Sequence, residues 1–154
     1  MNTPAPAGYS GTPLAKKLGY KESSHAFLVN APSDYEQLVD PLPAGVVFKN
    51  VAGPSVDIAH IFVTRREELA EQLVALRKKL KPDAMLWVSW PKKASKVPTT
   101  VTEDTIREVA LPIGFVDVKV CAVSEVWSGL KLVALRAIQW DRTLTGRRSP
   151  RGSG

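Results

Sequence analysis

Apolar runs too short for helices alternate along this chain with amphipathic stretches that carry helix-start signals, and no other feature constrains its fold as tightly. The runs are residues 25–30 (HAFLVN), 45–49, 56–63, 85–90, 115–124 and 130–137. The first is continuously apolar, as in a strand buried on both faces of a parallel sheet. Thr12 and Pro13 open a short helix that Gly19 closes, with Leu14 and Leu18 on one face. Ser33 to Glu36 has capping-box spacing and predicts a second helix from Tyr35 to Asp40, bounded by Pro41 and Pro43. A second such box, Thr64 to Glu67, starts the clearest helix, where Leu69, Leu73, Leu76 and Leu80 recur at helical spacing. Arg77, Lys78, Lys79 and Lys81 suit the negative end of its dipole and read as a solvated helix end. Thr102 caps a fourth helix running to about Leu111, ended by Pro112 and Gly114.

Strands alternating with helices predict a mostly parallel α/β sheet with right-handed crossovers. The last two runs, joined by residues 125–129 (EVWSG), are spaced as an antiparallel hairpin. A length of 154 residues, with 44% hydrophobic and 23% charged, suits one ordinary globular domain. Residues 1–11 and 141–154, rich in Pro, Gly, Ser, Thr or Arg, read as disordered tails on a domain spanning 12–140. The C-terminal tail supplies half of the net charge of +6, so the folded part is close to neutral. A lone cysteine, Cys121, excludes an internal disulfide and fits a reducing compartment. The first residues have no apolar core like that of a signal peptide, and no apolar run approaches the ~20 residues that span a bilayer. The expectation is a cytoplasmic protein with no membrane partner.

Several stretches carry a resemblance. LRKKLKPDAMLWVSWP and VDIAHIFVT are similar to segments of class I methyltransferases. The whole outline resembles their small Rossmann-like sheet, which implies strand order 2-1-3-4-6-5. A tighter resemblance runs from TPLAKKLGY through VDVKVCAVSEVWSGLKLVALR. Carried by LWVSWPKKASK, TEDTIREVALPIGFVDVKVCAV and VWSGLKLV, it is to a family of small bacterial proteins known only as a domain of unknown function. That resemblance implies the methyltransferase-like fold and no activity. The departures from working methyltransferases are specific. Where those enzymes have a glycine loop that lets the backbone approach the cofactor, this chain has Asn30-Ala31-Pro32-Ser33-Asp34. Where they end the second strand in an acid, this chain has Lys49 and Asn50. Acids at Asp34 and Glu36 would repel phosphate from the next helix start. No cofactor is expected: S-adenosylmethionine, NAD and nucleotides are all disfavoured.

No Cys or His lies at metal-ligand spacing, so no metal is expected. His25 and His60 read as structural, and Cys121 as a buried, inert thiol. Trp87 and Trp90, three apart, should face opposite sides of the sheet. What remains is geometric, because ligands of open parallel sheets sit beyond the carboxyl ends of the strands. Those ends bring Asn30, Thr64, Arg65, Lys92, Lys93, Ser95, Lys96, Glu125, Trp127 and Ser128 to one rim. The leading expectation is a non-catalytic binding or regulatory module, holding an anionic small molecule or an acidic protein partner there. The runner-up is a divergent enzyme, such as a transferase, using Asn30, Glu125 or Asp117. Nucleic-acid binding comes third, since no RNA-binding signature is present. The oligomeric state is not legible.

Overall fold

A computed structural model describes residues 12–135; both expected tails and the far ends of the expected domain and last strand lie outside the described residues. The elements are α1 (Leu14–Leu18), β1 (His25–Val29), α2 (Tyr35–Leu38), β2 (Val47–Lys49), β3 (Ile58–Phe62) and α3 (Arg66–Lys79). There follow β4 (Met85–Pro91), a 3-10 turn (Lys93–Ser95), α4 (Glu103–Ile113), β5 (Phe115–Ala122) and β6 (Trp127–Ala134). They build one six-stranded sheet in the order β2-β1-β3-β4-β6-β5. β2, β1, β3 and β4 run parallel, and β6 is antiparallel to both β4 and β5. This is the expected α/β sheet with its antiparallel hairpin.

Helices cover both faces. α3 and α4 press Leu69, Leu73, Leu76, Ile106 and Val109 onto Ile61, Leu86, Val88, Leu130 and Leu132. On the other face α1 and α2 cover Ala26, Ile58, Phe62 and Trp87 with Leu14, Leu18, Tyr35 and Val39. Burying those side chains from water holds each layer to the sheet. Trp87 and Trp90 do face opposite sides, as a period of two requires. No helix of the described residues is long and apolar enough to cross a membrane.

Several boundaries differ from the sequence reading, each for a local reason. α2 has a single turn, ends at Leu38 rather than Asp40, and starts at Asp34 with no side-chain cap, so Ser33 and Glu36 form no box. α3 starts after Arg65, likewise without a side-chain cap of its own, so the Thr64–Glu67 box is also absent. Glu68, one residue later, reaches back to the Thr64 N–H at 3.1 Å. Among the described residues the one reciprocal box is at α4, where Thr102 and Thr105 each accept the other's backbone N–H through a hydroxyl. α4 continues through Pro112 and closes on Gly114, whose φ of 105° suits glycine. The hairpin turn spans 123–126, not 125–129, so Trp127 and Ser128 belong to β6. The short turn there is tied by the Ser124 hydroxyl, which accepts the Val126 and Trp127 N–H groups at 3.1 Å.

Candidate functional site

Strand order reverses between β1 and β3: β1 leads to β2 on one side, and β3 leads to β4 on the other. The crevice at their carboxyl ends is where an open α/β sheet holds a ligand. Here a pair of hydrogen-bonded side chains spans it. Asn30 follows β1 with φ 57°, the left-handed turn for which glycine is the usual choice and asparagine a tolerated one. The turn therefore survives without glycine, and what changes is the side chain. Asn30 Nδ2 donates to Glu68 Oε2 at 3.1 Å, while Glu68 Oε1 accepts the Thr64 N–H. Glu68 thus ties the ends of β1 and β3 together across the crevice.

The segment after β4 adds further bonds at the end of β3. Thr100 N–H and the Thr99 hydroxyl donate to Thr64 O at 3.0 and 2.8 Å, laying residues 99–100 over the end of β3. Thr100 Oγ1 then accepts the Arg66 N–H at 2.8 Å. The first-turn N–H groups of a helix are its anion-binding equipment. At α3 the Arg66 N–H is taken by a hydroxyl, and a carboxylate already lies at the helix start.

Farther along the rim, the end of β4 meets the hairpin turn. Lys92 N–H donates to Val126 O at 2.7 Å, and Pro91 pairs with Trp127. Lys93 and Ser95 form the 3-10 turn, and the Ser95 hydroxyl donates to Lys92 O at 2.7 Å. Lys93 and Lys96 are exposed, as is Arg65 at the start of α3. Among the described residues none of Arg65, Lys92, Lys93 and Lys96 makes an ion pair. Trp127 is not displayed on the rim: its half-buried ring meets Phe62 edge-on at 5.0 Å. Ser128, next along β6, points to the opposite face and pairs with Trp90. Asp117 is on β5 beneath α4, where Arg107 Nε donates to it at 2.9 Å and holds its carboxyl below the usual range. It does not join Asn30 or Glu125.

Glu125 instead faces a groove of about 510 Å³ between α1, α2 and the hairpin turn, shared with Asp34, Asp40, Leu38 and Val123. A second cleft, of about 680 Å³, lies on the other side of α2 over Leu28 and Phe48, with Tyr35 in its wall. Beneath both, Tyr35 belongs to a buried chain that sequence reading missed. Tyr20 and Tyr35 hydroxyls meet at 2.8 Å, Tyr35 meets His60 Nδ1 at 3.0 Å, and His60 Nε2 meets Ser89 Oγ at 2.8 Å. Complete burial pushes the His60 pKa down to about 3, so the imidazole is neutral. Burial pushes the Tyr20 phenol up to about 12 and Tyr35 higher still. Ser89 is fully buried, so its hydroxyl has no access to a substrate. His25 and Cys121 are ordinary by comparison: the His25 N–H donates to Asp57, and burial pushes the Cys121 thiol up. Among the described residues no three His, Cys, Asp or Glu cluster as a metal site would need.

A family described as "Protein of unknown function (DUF3052)" matches residues 53–136. No curated protein matches the sequence. Solved structures share the fold. A SAM dependent methyltransferase from Aquifex aeolicus superposes with a TM-score of 0.54 at 17% identity, over 79% of this chain and 87% of that one. A putative methyltransferase from Thermoplasma acidophilum gives 0.53 at 5% identity, over 84% of this chain and 74% of its own. For the mitomycin 7-O-methyltransferase MmcR the values are 0.50 and 9%, over 73% of this chain, which spans only 49% of that enzyme. At such identities the likeness is one of fold.

Proposed function

The chain belongs to the DUF3052 family of unknown function, and for this member we propose a non-catalytic binding or regulatory module of the cytoplasm. It keeps the methyltransferase-like sheet and holds an anionic small molecule or an acidic partner surface against Arg65, Lys92, Lys93 and Lys96. The observation that carries this reading is the side-chain bridge across the crevice. Glu68, bonded to Asn30 and Thr64, occupies the place between β1 and β3 where such a sheet would bind its cofactor. The residues present do not fit S-adenosylmethionine. The Asn30 side chain stands where a backbone would have to approach the ligand, and Lys49 ends β2 where an acid would take ribose hydroxyls. With Glu68 spanning the crevice, the cations that among the described residues make no ion pair on the same rim supply attraction for a ligand, and lysines attract an anion as point charges.

Calorimetric titration with S-adenosylmethionine should give no micromolar binding; a micromolar dissociation constant would overturn the reading. The rim is tested by purifying the native protein and its K92A/K93A variant, then identifying by mass spectrometry what copurifies. The variant should lose the bound species while its stability changes by no more than about 0.5 kcal/mol. Retention of the same species at undiminished affinity would exclude the rim.

One observation favours a second reading, a divergent transferase. The groove beside the hairpin turn gathers Asp34, Asp40 and Glu125 over an apolar floor, the kind of carboxylate set that general acid–base chemistry uses. Glu125→Gln would abolish turnover in that case and leave the binding module intact.

A further inference from the structure

The hairpin sets two lysines directly against each other. Lys119 of β5 and Lys131 of β6 are partners in the antiparallel ladder, so their side chains leave the same face as neighbours. That face is the α1 side, because Lys131 also pairs with Trp87, whose ring lies in the α1–α2 core. Cys121, two residues along β5 from Lys119, packs at the edge of the same core. Like charges directly opposite in a ladder are destabilising. Among the described residues neither lysine makes an ion pair that would relieve the repulsion. Lys21, in the turn after α1, adds a third positive charge close enough to act on Lys131, and Lys17 adds one beside Cys121. Lys131 is half-buried, and the loss of water pushes its ammonium below the ordinary lysine range. A sheet surface that concentrates cations and strips water from one of them gains by taking up an anion.

We propose that this face is an anion site, binding a multiply charged phosphate group between Lys119 and Lys131 with Lys21 at its border. Such a group matches the site chemically: its several acceptor oxygens can take charge-assisted hydrogen bonds from two ammonium groups at once. The phosphate relieves the cross-strand repulsion that the apoprotein carries. The site is on the α1 face near the middle of the hairpin, distinct from the Lys92–Lys96 rim, and stands or falls independently of it.

The probe is pyrophosphate, titrated into the full chain while backbone amide shifts are followed by NMR, with melting curves at ionic strength matched by sodium chloride. Amides of Lys119, Cys121 and Lys131 should shift together, and pyrophosphate should raise the melting temperature beyond matched chloride. Lys131→Met keeps the apolar stem and removes the charge. It should weaken pyrophosphate about tenfold, the factor that corresponds to losing one strong charge contact. Without pyrophosphate at low salt it should melt at or above the wild-type temperature, since a repulsion has gone. Lys119→Met, at a more exposed position, repeats the test should Lys131→Met fold poorly. Lys78→Met, on the opposite helix layer, controls for net charge and should keep wild-type affinity. The proposal is overturned if pyrophosphate shifts the Lys92–Lys96 amides instead, or if chloride reproduces the whole stabilisation. It is equally overturned if the hairpin variants bind as tightly as Lys78→Met.

Discussion

The two faces of the sheet are closed by different physics. On the α3–α4 face every member of the core is apolar, and Leu69, Leu73, Leu86, Leu130 and Leu132 are all fully buried. On the α1–α2 face the same sheet buries Tyr20, Tyr35, His60 and Ser89 in one hydrogen-bonded chain. Phe62 stacks on His60 at 4.4 Å and meets Tyr35 edge-on. The first face is held by area removed from water and by packing, which are non-directional. The second face is held also by a set of partners that must all be present. Neutral histidine and three hydroxyls bring one hydrogen each to only three links. One hydrogen, on Tyr20, Tyr35 or Ser89, is therefore left to point outside the chain. A core of the first kind tolerates a change of shape better than a change of volume. A core of the second kind tolerates neither, because a lost partner leaves a buried polar group without a bond.

Acid should separate the two faces most strongly. Unfolded His60 takes up a proton near its ordinary pKa of 6.5, whereas the folded imidazole refuses one until about pH 3. Its contribution is whole above pH 6.5 and is lost as pH falls toward 3, at up to about 1.4 kcal/mol per pH unit. Asp57 and Asp117, held below their usual range by hydrogen bonds and by Lys81 and Arg107, add a loss only below about pH 4. Urea melts between pH 6.5 and 4 thus read chiefly His60, and a flat profile there would mean that His60 is not buried neutral.

Next in size, Leu73→Ala should cost about 3 kcal/mol or more by leaving a cavity under α3. Leu73→Met, with volume nearly kept, should cost less than about 1.5 kcal/mol. Tyr35→Phe removes one oxygen from the opposite face and should cost about 2 kcal/mol, since Tyr20 and His60 each lose a partner. If chemical denaturation shows Tyr35→Phe to be milder than Leu73→Met, the contrast between the faces fails. Smallest of the truncations is Trp127→Ala, which removes a half-buried ring packed edge-on against Phe62. A loss of roughly 1–2 kcal/mol is expected, below that of a fully buried tryptophan. An unchanged melt with lost ligand binding would return Trp127 to the rim as a contact residue.

The apolar face was legible because its signal is local. Leu69, Leu73 and Leu76 recur within one helix, and the strands read as unbroken apolar runs. The hairpin was legible as a hairpin, but its turn was misplaced. Trp127 and Ser128 looked like part of the connection, and β-sheet pairing with Pro91 and Trp90 drew them into β6. The rim was legible as a set of strand ends, which is how Lys92 came to lie beside the hairpin turn. Its closure was not. Glu68 could have been suspected from its position four residues after Thr64, but the alternative at Glu67 matched the standard capping spacing better.

By itself, then, the sequence determined the succession of helices and strands, the parallel sheet with its antiparallel end, and the absence of a glycine loop after the first strand. Each of these rests on neighbours within a turn or a run, where side-chain period and backbone preference act directly. Only the tertiary structure decided that His60 is one of a chain of four, because its partners are 25 and 29 residues away. It likewise decided that Asn30 meets Glu68 across 38 residues, and that Lys119 faces Lys131 with no acid between them. Such pairs form when strands far apart in sequence come into register, and a polar side chain's value is set by the partner that register brings.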